Sequence, residues 1–211
     1  MIDLLKLWNI GDDEVANPSY ILAHGYGTTK NKELPISAKR VLEKTVELMK
    51  KFPSAKCIIF DSNYFAVPQK YTGKSEEYEC ELKKKYLASL GADFSRIIFG
   101  TDFKQVPLTI CSTVQEVGLA MSHFYLGGDE VISVCDRIHA RRVRYILRKS
   151  LHNWLWLVKY KIIGVDGVWT KNMPSKWQQS DFRWLLCNVV GCLGYALLGI
   201  DRLSKTTHKV K

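Results

Sequence analysis

The segment CDRIHARRVRYILRK, residues 135–149, places an acid and an imidazole beside a dense row of arginines. Asp136 comes directly after the apolar run EVISVC, and His139 and Arg142 lie three residues apart. On a helix this spacing puts both side chains on one face. An imidazole can act as acid or base near neutral pH, and a guanidinium binds phosphate or carboxylate through two parallel hydrogen bonds. The segment is either a solvated helix face or one wall of an anion site, and we favour the anion site.

Apolar runs of strand length alternate with longer amphipathic patterns along the chain. The predicted strands are SYILAHG, AKCIIF, SRIIFG, EVISVC and VKYKIIGVD. The predicted helices begin near Pro35, Ser75 and Ser112, then follow as the basic helix after Asp136 and a long helix from Trp177 to Leu203. This alternation predicts one α/β domain over residues 1–211, a three-layer Rossmann-like sandwich with a mostly parallel sheet and helices on both faces.

Polar residues and glycines follow the predicted strands at their carboxyl ends. The first strand ends in HGYG, the second in DSN, the third in GTD and the fourth in CDRIH. Strands commonly end in turn-forming residues, which explains the glycines and Asn63 but not His24, nor His139 with Arg142. Because ligands of such sheets bind outside the carboxyl ends of the strands, we expect one shared pocket at this edge.

Two stretches supply backbone groups for a ligand in that pocket. Gly25 and Gly27, on either side of Tyr26, free the chain for a tight turn and for close approach to a ligand. The stretch STVQE fits a capping box either through Ser112 and Gln115 or through Thr113 and Glu116, which predicts a helix start. The unpaired N–H groups of that start would also suit an anion.

Several familiar site patterns are missing from the sequence. The turn after the first strand is not G-x-G-x-x-G, and YTGKS at 71–75 lacks the first glycine of a P-loop because Pro68 stands there. No G-x-S-x-G elbow marks a nucleophile. The six cysteines show no zinc spacing, so we expect reduced thiols and no dedicated metal site. The alternative metal ligands are the acids Asp61, Glu76 and Asp136.

The formal charge of +10 favours acidic partners, which include phosphorylated small molecules and anionic lipid. Nucleic acid is not favoured, because no helix-turn-helix signature accompanies the arginines. The run WLLCNVVGCLGYALLGI, residues 184–200, is either a core helix or a helix that binds a membrane or a partner. Without a signal-peptide pattern at the start, we expect a cytoplasmic protein, with membrane association as the alternative.

The order of these elements resembles a family of unknown function that contains the bacterial proteins SanA, ElyC and YdcF. The matching stretches, over about residues 19–150, are ILAHGYG, LPISAKR with Arg40, IIFDSN, Ser75-Glu76, STVQE and VISVCDRIHARR. Residues from about 151 to 211 would then be a C-terminal extension that packs on this core. The resemblance implies one pocket at the carboxyl edge, a link to envelope processes and a nucleotide-like ligand such as S-adenosylmethionine.

The chain departs from the family pattern at two strand ends. Asp61-Ser62-Asn63 stands where the family has Ser-Gly-Gly, and Cys135-Asp136 stands where it has Thr-Ser. The two extra acids favour a cationic or mixed-charge ligand over a highly anionic one.

Two functions follow as expectations. The first is a small-molecule site in which Arg40 and Arg142 bind a phosphate or carboxylate, and His139 acts as acid or base. Asp61, Glu76 and Asp136 would orient that imidazole or bind a polar group, with Ser62 beside them. The second is a non-enzymatic scaffold that uses the basic helix and the C-terminal apolar helix at a membrane surface or on a partner. The sequence assigns no reaction and no oligomeric state.

Overall fold

The computed structural model describes residues 13–60, 79–99, 129–154, 158–173 and 175–198, and Thr113, Glu116, Val117 and Ala120 of a further helical stretch. The strands are β1 (Tyr20–Ala23), β2 (Lys56–Ile59), β3 (Ile97–Phe99), β4 (Glu130–Asp136) and β5 (Lys159–Val165). The helices are α1 (Ile36–Lys51), α2 (Glu79–Ser89), α3 (Arg137–Trp154) and α4 (Asp181–Leu198). The predicted Rossmann-like α/β sandwich is confirmed.

The sheet has the strand order β3-β2-β1-β4-β5, and every neighbouring pair is parallel. From β1 the chain moves outward to β2 and β3, then crosses back to β4 on the other side of β1. In register, Leu22 pairs with Ile58 on one side and with Ser133 on the other. The boundary between β1 and β4 is therefore the switch point, where sheets of this kind open a crevice at their carboxyl ends.

Alternate residues of the strands supply two cores, one on each face of the sheet. Ile21 and Ile132 belong to the core that includes residues of α1 and α2, whereas Leu22 and Val131 belong to the core that includes residues of α3. Side chains of a strand point alternately to its two faces, so a strand buried on both faces reads as a continuous apolar run. This burial explains why YILA and KCII carry almost no polar residue.

The element boundaries differ from the sequence prediction at the last helix. Trp177 lies in a 3-10 turn, Lys176–Gln178, and α4 begins only at Asp181. The predicted end at Leu203 lies outside the described residues. Gly91 follows α2 with a φ of 68°, which fits its predicted place as a helix stop. Within the described ranges, no helix has both the length and the apolar content that crossing a bilayer requires.

Candidate functional site

His24 lies directly beyond β1 at the switch point and makes hydrogen bonds through both ring nitrogens. Its Nδ1 is 2.7 Å from Glu116 Oε2, and its Nε2 is 2.8 Å from Ser133 Oγ in β4. The other carboxylate oxygen of Glu116 accepts the Gly25 backbone N–H at 3.1 Å. The side chains of His24, Glu116 and Ser133 are all buried. The turn after β1, Glu116 and β4 are therefore joined through one imidazole and one carboxylate.

His139, in the first turn of α3, is held from both sides as well. Its Nδ1 is 2.7 Å from Asn188 Oδ1 of α4, and its Nε2 is 3.0 Å from Thr113 Oγ1. The Asn188 side-chain amide donates to the Trp184 carbonyl at 2.8 Å, so its Oδ1 is the oxygen that faces the imidazole. In the neutral ring the proton therefore lies on Nδ1, and Nε2 accepts the Thr113 hydroxyl.

The two imidazoles lie beside each other under an aromatic cover. The ring centroids of His24 and His139 are 6.0 Å apart, and Tyr26 lies 5.8 Å from His139. Trp184 stacks on His139 at 5.4 Å with an interplanar angle of 21°. The structure thus brings together the turn after β1, the residues Thr113 and Glu116, the start of α3 and one face of α4.

Asp136, at the junction of β4 and α3, caps the helix. Its Oδ1 accepts the backbone N–H groups of Ile138 at 2.9 Å and His139 at 3.2 Å, and the Trp184 indole N–H at 3.2 Å. Within the part of the chain that the structure describes, Oδ2 accepts no hydrogen bond. The carboxylate expected to assist catalysis therefore also fixes the N-terminus of α3 and holds α4.

Burial and neighbouring charges set the protonation of the site. Burial, the Arg142 guanidinium and His24 lower the pKa of His139 to about 3, so this imidazole is neutral at pH 7. Burial also raises the pKa of Asp136, although the hydrogen bonds that its carboxylate accepts from three N–H groups act to lower it. For Glu116, burial raises the pKa, but His24, His139 and the Gly25 N–H together lower it below its ordinary value.

A buried ion pair supports the glycine turn from below. Lys83 Nζ lies 2.7 Å from Glu79 Oε1 and also donates to the Phe60 carbonyl, and both side chains are almost fully buried. The same Glu79 oxygen accepts the Gly27 N–H at 3.2 Å. A Cβ on Gly25 would lie 2.8 Å from the Phe60 carbonyl oxygen. Glycine at 25 is therefore required by close backbone packing, independently of any ligand.

The two arginines expected to bind an anion lie in different surroundings. Arg142 lies between α3 and α4, with its guanidinium carbon 3.3 Å from the position of a Cβ on Gly191. Arg40 is exposed on α1, and its Nη1 donates to the Asp166 carbonyl after β5 at 2.7 Å. The structure brings Arg142 near His139 and gives Arg40 a structural partner.

Three of the expected site residues, Asp61, Ser62 and Glu76, lie outside the described residues. Of the alternative metal ligands Asp61, Glu76 and Asp136, only Asp136 lies among the described residues. The described cysteines, Cys57, Cys80, Cys135, Cys187 and Cys192, are thiols.

The contribution of α4 to the site was not predicted from the sequence. Trp184 and Asn188 bond to Asp136 and His139, yet the sequence shows only an apolar run with one polar interruption. The signal was the amide itself, one helical turn after a tryptophan, in a helix that is otherwise apolar. Ser133 was missed as well, because it lies in the middle of an apolar strand.

One group of side chains has the composition of a metal site. His24, Glu116 and His139 each offer one ligand atom, and these atoms all lie within 4.8 Å of one another. The three residues are far apart in the chain, so no local spacing indicates the group.

Comparison with known proteins supplies no relative for the chain, because no family model, no curated protein and no solved structure matches it. What the site does has to follow from its own geometry.

Proposed function

We propose that this protein binds a small molecule carrying a phosphate or carboxylate, in a pocket between the carboxyl ends of β1 and β4 under α4. The observation that carries the proposal is the convergence of buried polar side chains from separate segments of the chain. His24, Thr113, Glu116, His139 and Asn188 are each at most 7% exposed. Burying polar groups costs free energy, and a core that served stability alone would fill this space with apolar side chains.

The anionic group of the ligand would lie between the Thr113 hydroxyl, His139 Nε2 and the Arg142 guanidinium. The Thr113 hydroxyl donates a hydrogen bond to His139 Nε2, with 3.0 Å between Oγ1 and Nε2. Arg142 is close enough to depress the pKa of that imidazole, so an anion placed there would meet a positive potential. By the same electrostatics, a bound anion would raise the pKa of His139 and give the ring a proton to donate.

A nucleotide-like ligand is supported by the aromatic side chains next to these polar groups. Tyr26 and Trp184 lie against the His139 ring, and Trp169 lies against both of them; the ring centroids of these three residues are 4.9 to 6.3 Å apart. Such rings can stack on a base. The resemblance to the SanA, ElyC and YdcF family points to the same class of ligand, with S-adenosylmethionine as the named candidate. The proposal concerns binding and assigns no reaction.

Ligand-induced thermal stabilisation tests this proposal. Inorganic phosphate and S-adenosylmethionine are added separately to the wild type, to Arg142→Gln and to Arg141→Gln, an exposed neighbour on α3 that serves as the control. The unfolding midpoint of the wild type and of Arg141→Gln should rise with at least one of the two probes. Arg142→Gln should lose most of that rise. An equal response in both variants, or no response of the wild type to either probe, would contradict the proposal.

A second candidate function, attachment to an anionic membrane surface, is favoured by the outer face of α4. Phe182, Leu186 and Val190 form a row along this helix and are 73%, 42% and 53% exposed. Large exposed apolar patches mark interaction sites, and the net charge of +10 selects an anionic bilayer among the partners. Arg137 and Arg141 are exposed on α3, which packs against α4.

Vesicle sedimentation tests the membrane candidate. Binding to phosphatidylserine vesicles should exceed binding to phosphatidylcholine vesicles, weaken with salt and fall in Val190→Asp. The control variant Lys44→Asp changes charge on the surface of α1. If vesicle binding depends on charge but is unchanged in Val190→Asp, α4 is not the part of the protein that contacts the membrane.

A further inference from the structure

Two buried imidazoles and one buried carboxylate face a common centre at the switch point. His24 is 1% exposed, Glu116 7% and His139 4%. One ligand atom from each lies within 4.8 Å of the other two. Two imidazole nitrogens and a carboxylate oxygen are a donor set that zinc and other first-row divalent ions prefer over calcium or magnesium. We propose that His24, Glu116 and His139 form a binding site for a divalent transition-metal ion such as Zn²⁺.

Each of the three side chains is anchored through the atom that points away from the centre. His24 Nε2 bonds to Ser133 Oγ at 2.8 Å, and His139 Nδ1 bonds to Asn188 Oδ1 at 2.7 Å. Glu116 Oε1 accepts the Gly25 N–H at 3.1 Å. Metal ligands in proteins are oriented by such outer hydrogen bonds, which also fix the imidazole tautomer. The atoms left for an ion are therefore His24 Nδ1, Glu116 Oε2 and His139 Nε2.

These inner atoms are close to the positions that an ion requires. In a tetrahedral zinc site, ligand atoms stand about 3.4 Å apart, so separations of up to 4.8 Å must close by at most roughly 1.4 Å. His24 Nδ1 and Glu116 Oε2 are 2.7 Å apart and would separate slightly. The ion would replace the proton that these two atoms share, as metal binding generally displaces protons from its ligands.

The fourth position would be open toward Thr113. Its hydroxyl oxygen lies 3.0 Å from His139 Nε2 and would lose that acceptor when the nitrogen binds a metal. A water or an anionic group at the fourth position could accept the same hydroxyl. Three protein ligands with one open position are the arrangement of catalytic rather than structural zinc sites.

The positive charge of Arg142 opposes an ion at this centre. This guanidinium already depresses the pKa of His139, and the same repulsion would weaken the binding of a dication. The Glu116 carboxylate is ionised, since its pKa is lowered, and it offsets one of the two charges. The metal and the proposed small-molecule anion share His139 Nε2, but only the anion needs the Arg142 guanidinium and only the metal needs the Glu116 carboxylate, so the two can be separated by mutation.

Calorimetric titration of Zn²⁺ into full-length, chelator-treated protein tests the metal site. The wild type should bind one Zn²⁺ per chain, and Co²⁺ in its place should show the visible absorption of a four-coordinate ion. Glu116→Gln should weaken Zn²⁺ binding by at least a hundredfold. Its amide oxygen can still accept the Gly25 N–H, and its amide N–H can donate to His24 Nδ1 once the His24 proton lies on Nε2 beside Ser133, so the fold should persist. Asn188→Ala, which removes the outer hydrogen bond to His139 Nδ1 together with the bond to the Trp184 carbonyl, should weaken binding by roughly 10- to 100-fold.

Two further variants distinguish binding at His24, Glu116 and His139 from binding at thiols and from the phosphate response. Cys187→Ser with Cys192→Ser removes the thiols of α4 and should leave Zn²⁺ binding unchanged. Arg142→Gln should lose the phosphate response described above, yet bind Zn²⁺ as well as or better than the wild type. Failure of the wild type to bind one Zn²⁺, or unchanged binding by a folded Glu116→Gln, would overturn the metal site. Neither result would affect the phosphate response of the wild type.

Discussion

Replacing Asp136 by alanine tests whether this carboxylate holds the start of α3 and the inner face of α4 together. One oxygen, Oδ1, accepts hydrogen bonds from Ile138 N, His139 N and Trp184 Nε1. The first two are the helix N–H groups that an N-cap satisfies, and losing a cap costs about 0.5–2 kcal/mol. The third is a buried indole N–H, and leaving one such donor without a partner costs about 1–3 kcal/mol.

The two losses are partly offset, because the wild-type carboxylate is itself unfavourably buried. Burial raises the pKa of Asp136, so its charged form loses free energy when the protein folds. We therefore expect Asp136→Ala to lower the free energy of unfolding by about 2–4 kcal/mol at pH 7. Asp136→Asn keeps an oxygen at the position of Oδ1 and removes the charge, so it should change stability by less than about 1 kcal/mol.

Urea denaturation followed by circular dichroism measures both variants against the wild type. Trp184→Phe is the companion variant, because it removes the indole donor and leaves the two helix N–H bonds in place; it also removes part of a buried ring, so it should cost about 1–3 kcal/mol. If Asp136→Asn were as damaging as Asp136→Ala, the charge would matter more than the accepted hydrogen bonds. A cost below about 1 kcal/mol for Asp136→Ala would refute the capping role altogether.

Three further predictions concern protonation, packing and the buried ion pair. The pKa of His139 falls from 6.5 in the unfolded chain to about 3 in the folded one. The stability that neutral His139 contributes is therefore fully present above pH 6.5 and is lost toward pH 3, by at most about 1.4 kcal/mol per pH unit. Between pH 7 and pH 5, the urea midpoint of a folded His139→Gln variant should fall less than that of the wild type. Gly167→Ala would place a Cβ 1.8 Å from the cap carboxylate, whereas at Gly191 the nearest atom is 3.3 Å away on a flexible arginine. Thermal unfolding should show a large loss for the first and a small one for the second, and equal losses would be contrary evidence. Lys83→Met leaves a buried glutamate without its cation, which should cost about 3–5 kcal/mol, while Lys44→Met on the surface should change the urea midpoint little.

Much of the fold was available from local patterns in the sequence. The runs YILA, KCII and EVISVC are apolar at nearly every position because both faces of a central parallel strand are covered. Pro35 at the start of α1 and Gly91 after α2 stand where the sequence pattern expected helix boundaries. The start of α4 at Asp181 was predicted less well, because the helix was expected from Trp177, whereas Lys176–Gln178 form a separate 3-10 turn before it.

A topological rule predicted where the candidate site lies, but it did not predict which side chains form the site. Parallel strands bring their carboxyl ends to one edge, so residues 24–27 and 136–139 were expected together, and the structure brings them together. No local pattern indicates that Asn188 would reach His139, because that contact depends on how α4 crosses the sheet edge. For the same reason the sequence assigns Arg142 to the helix face that carries His139 but does not predict its contact with Gly191 of α4.

The sequence by itself determined the alternation of strands and helices, the parallel sheet and the edge at which polar residues collect, since these depend on neighbours within a few residues. Only the tertiary structure decided which distant groups share hydrogen bonds: His24 with Glu116, Asp136 with Trp184, and Lys83 with the Phe60 carbonyl. Periodicity tells which side of an element is buried. The partner that each buried polar atom finds is fixed by packing over the whole molecule, because such an atom must be satisfied by whatever group lies within about 3 Å of it.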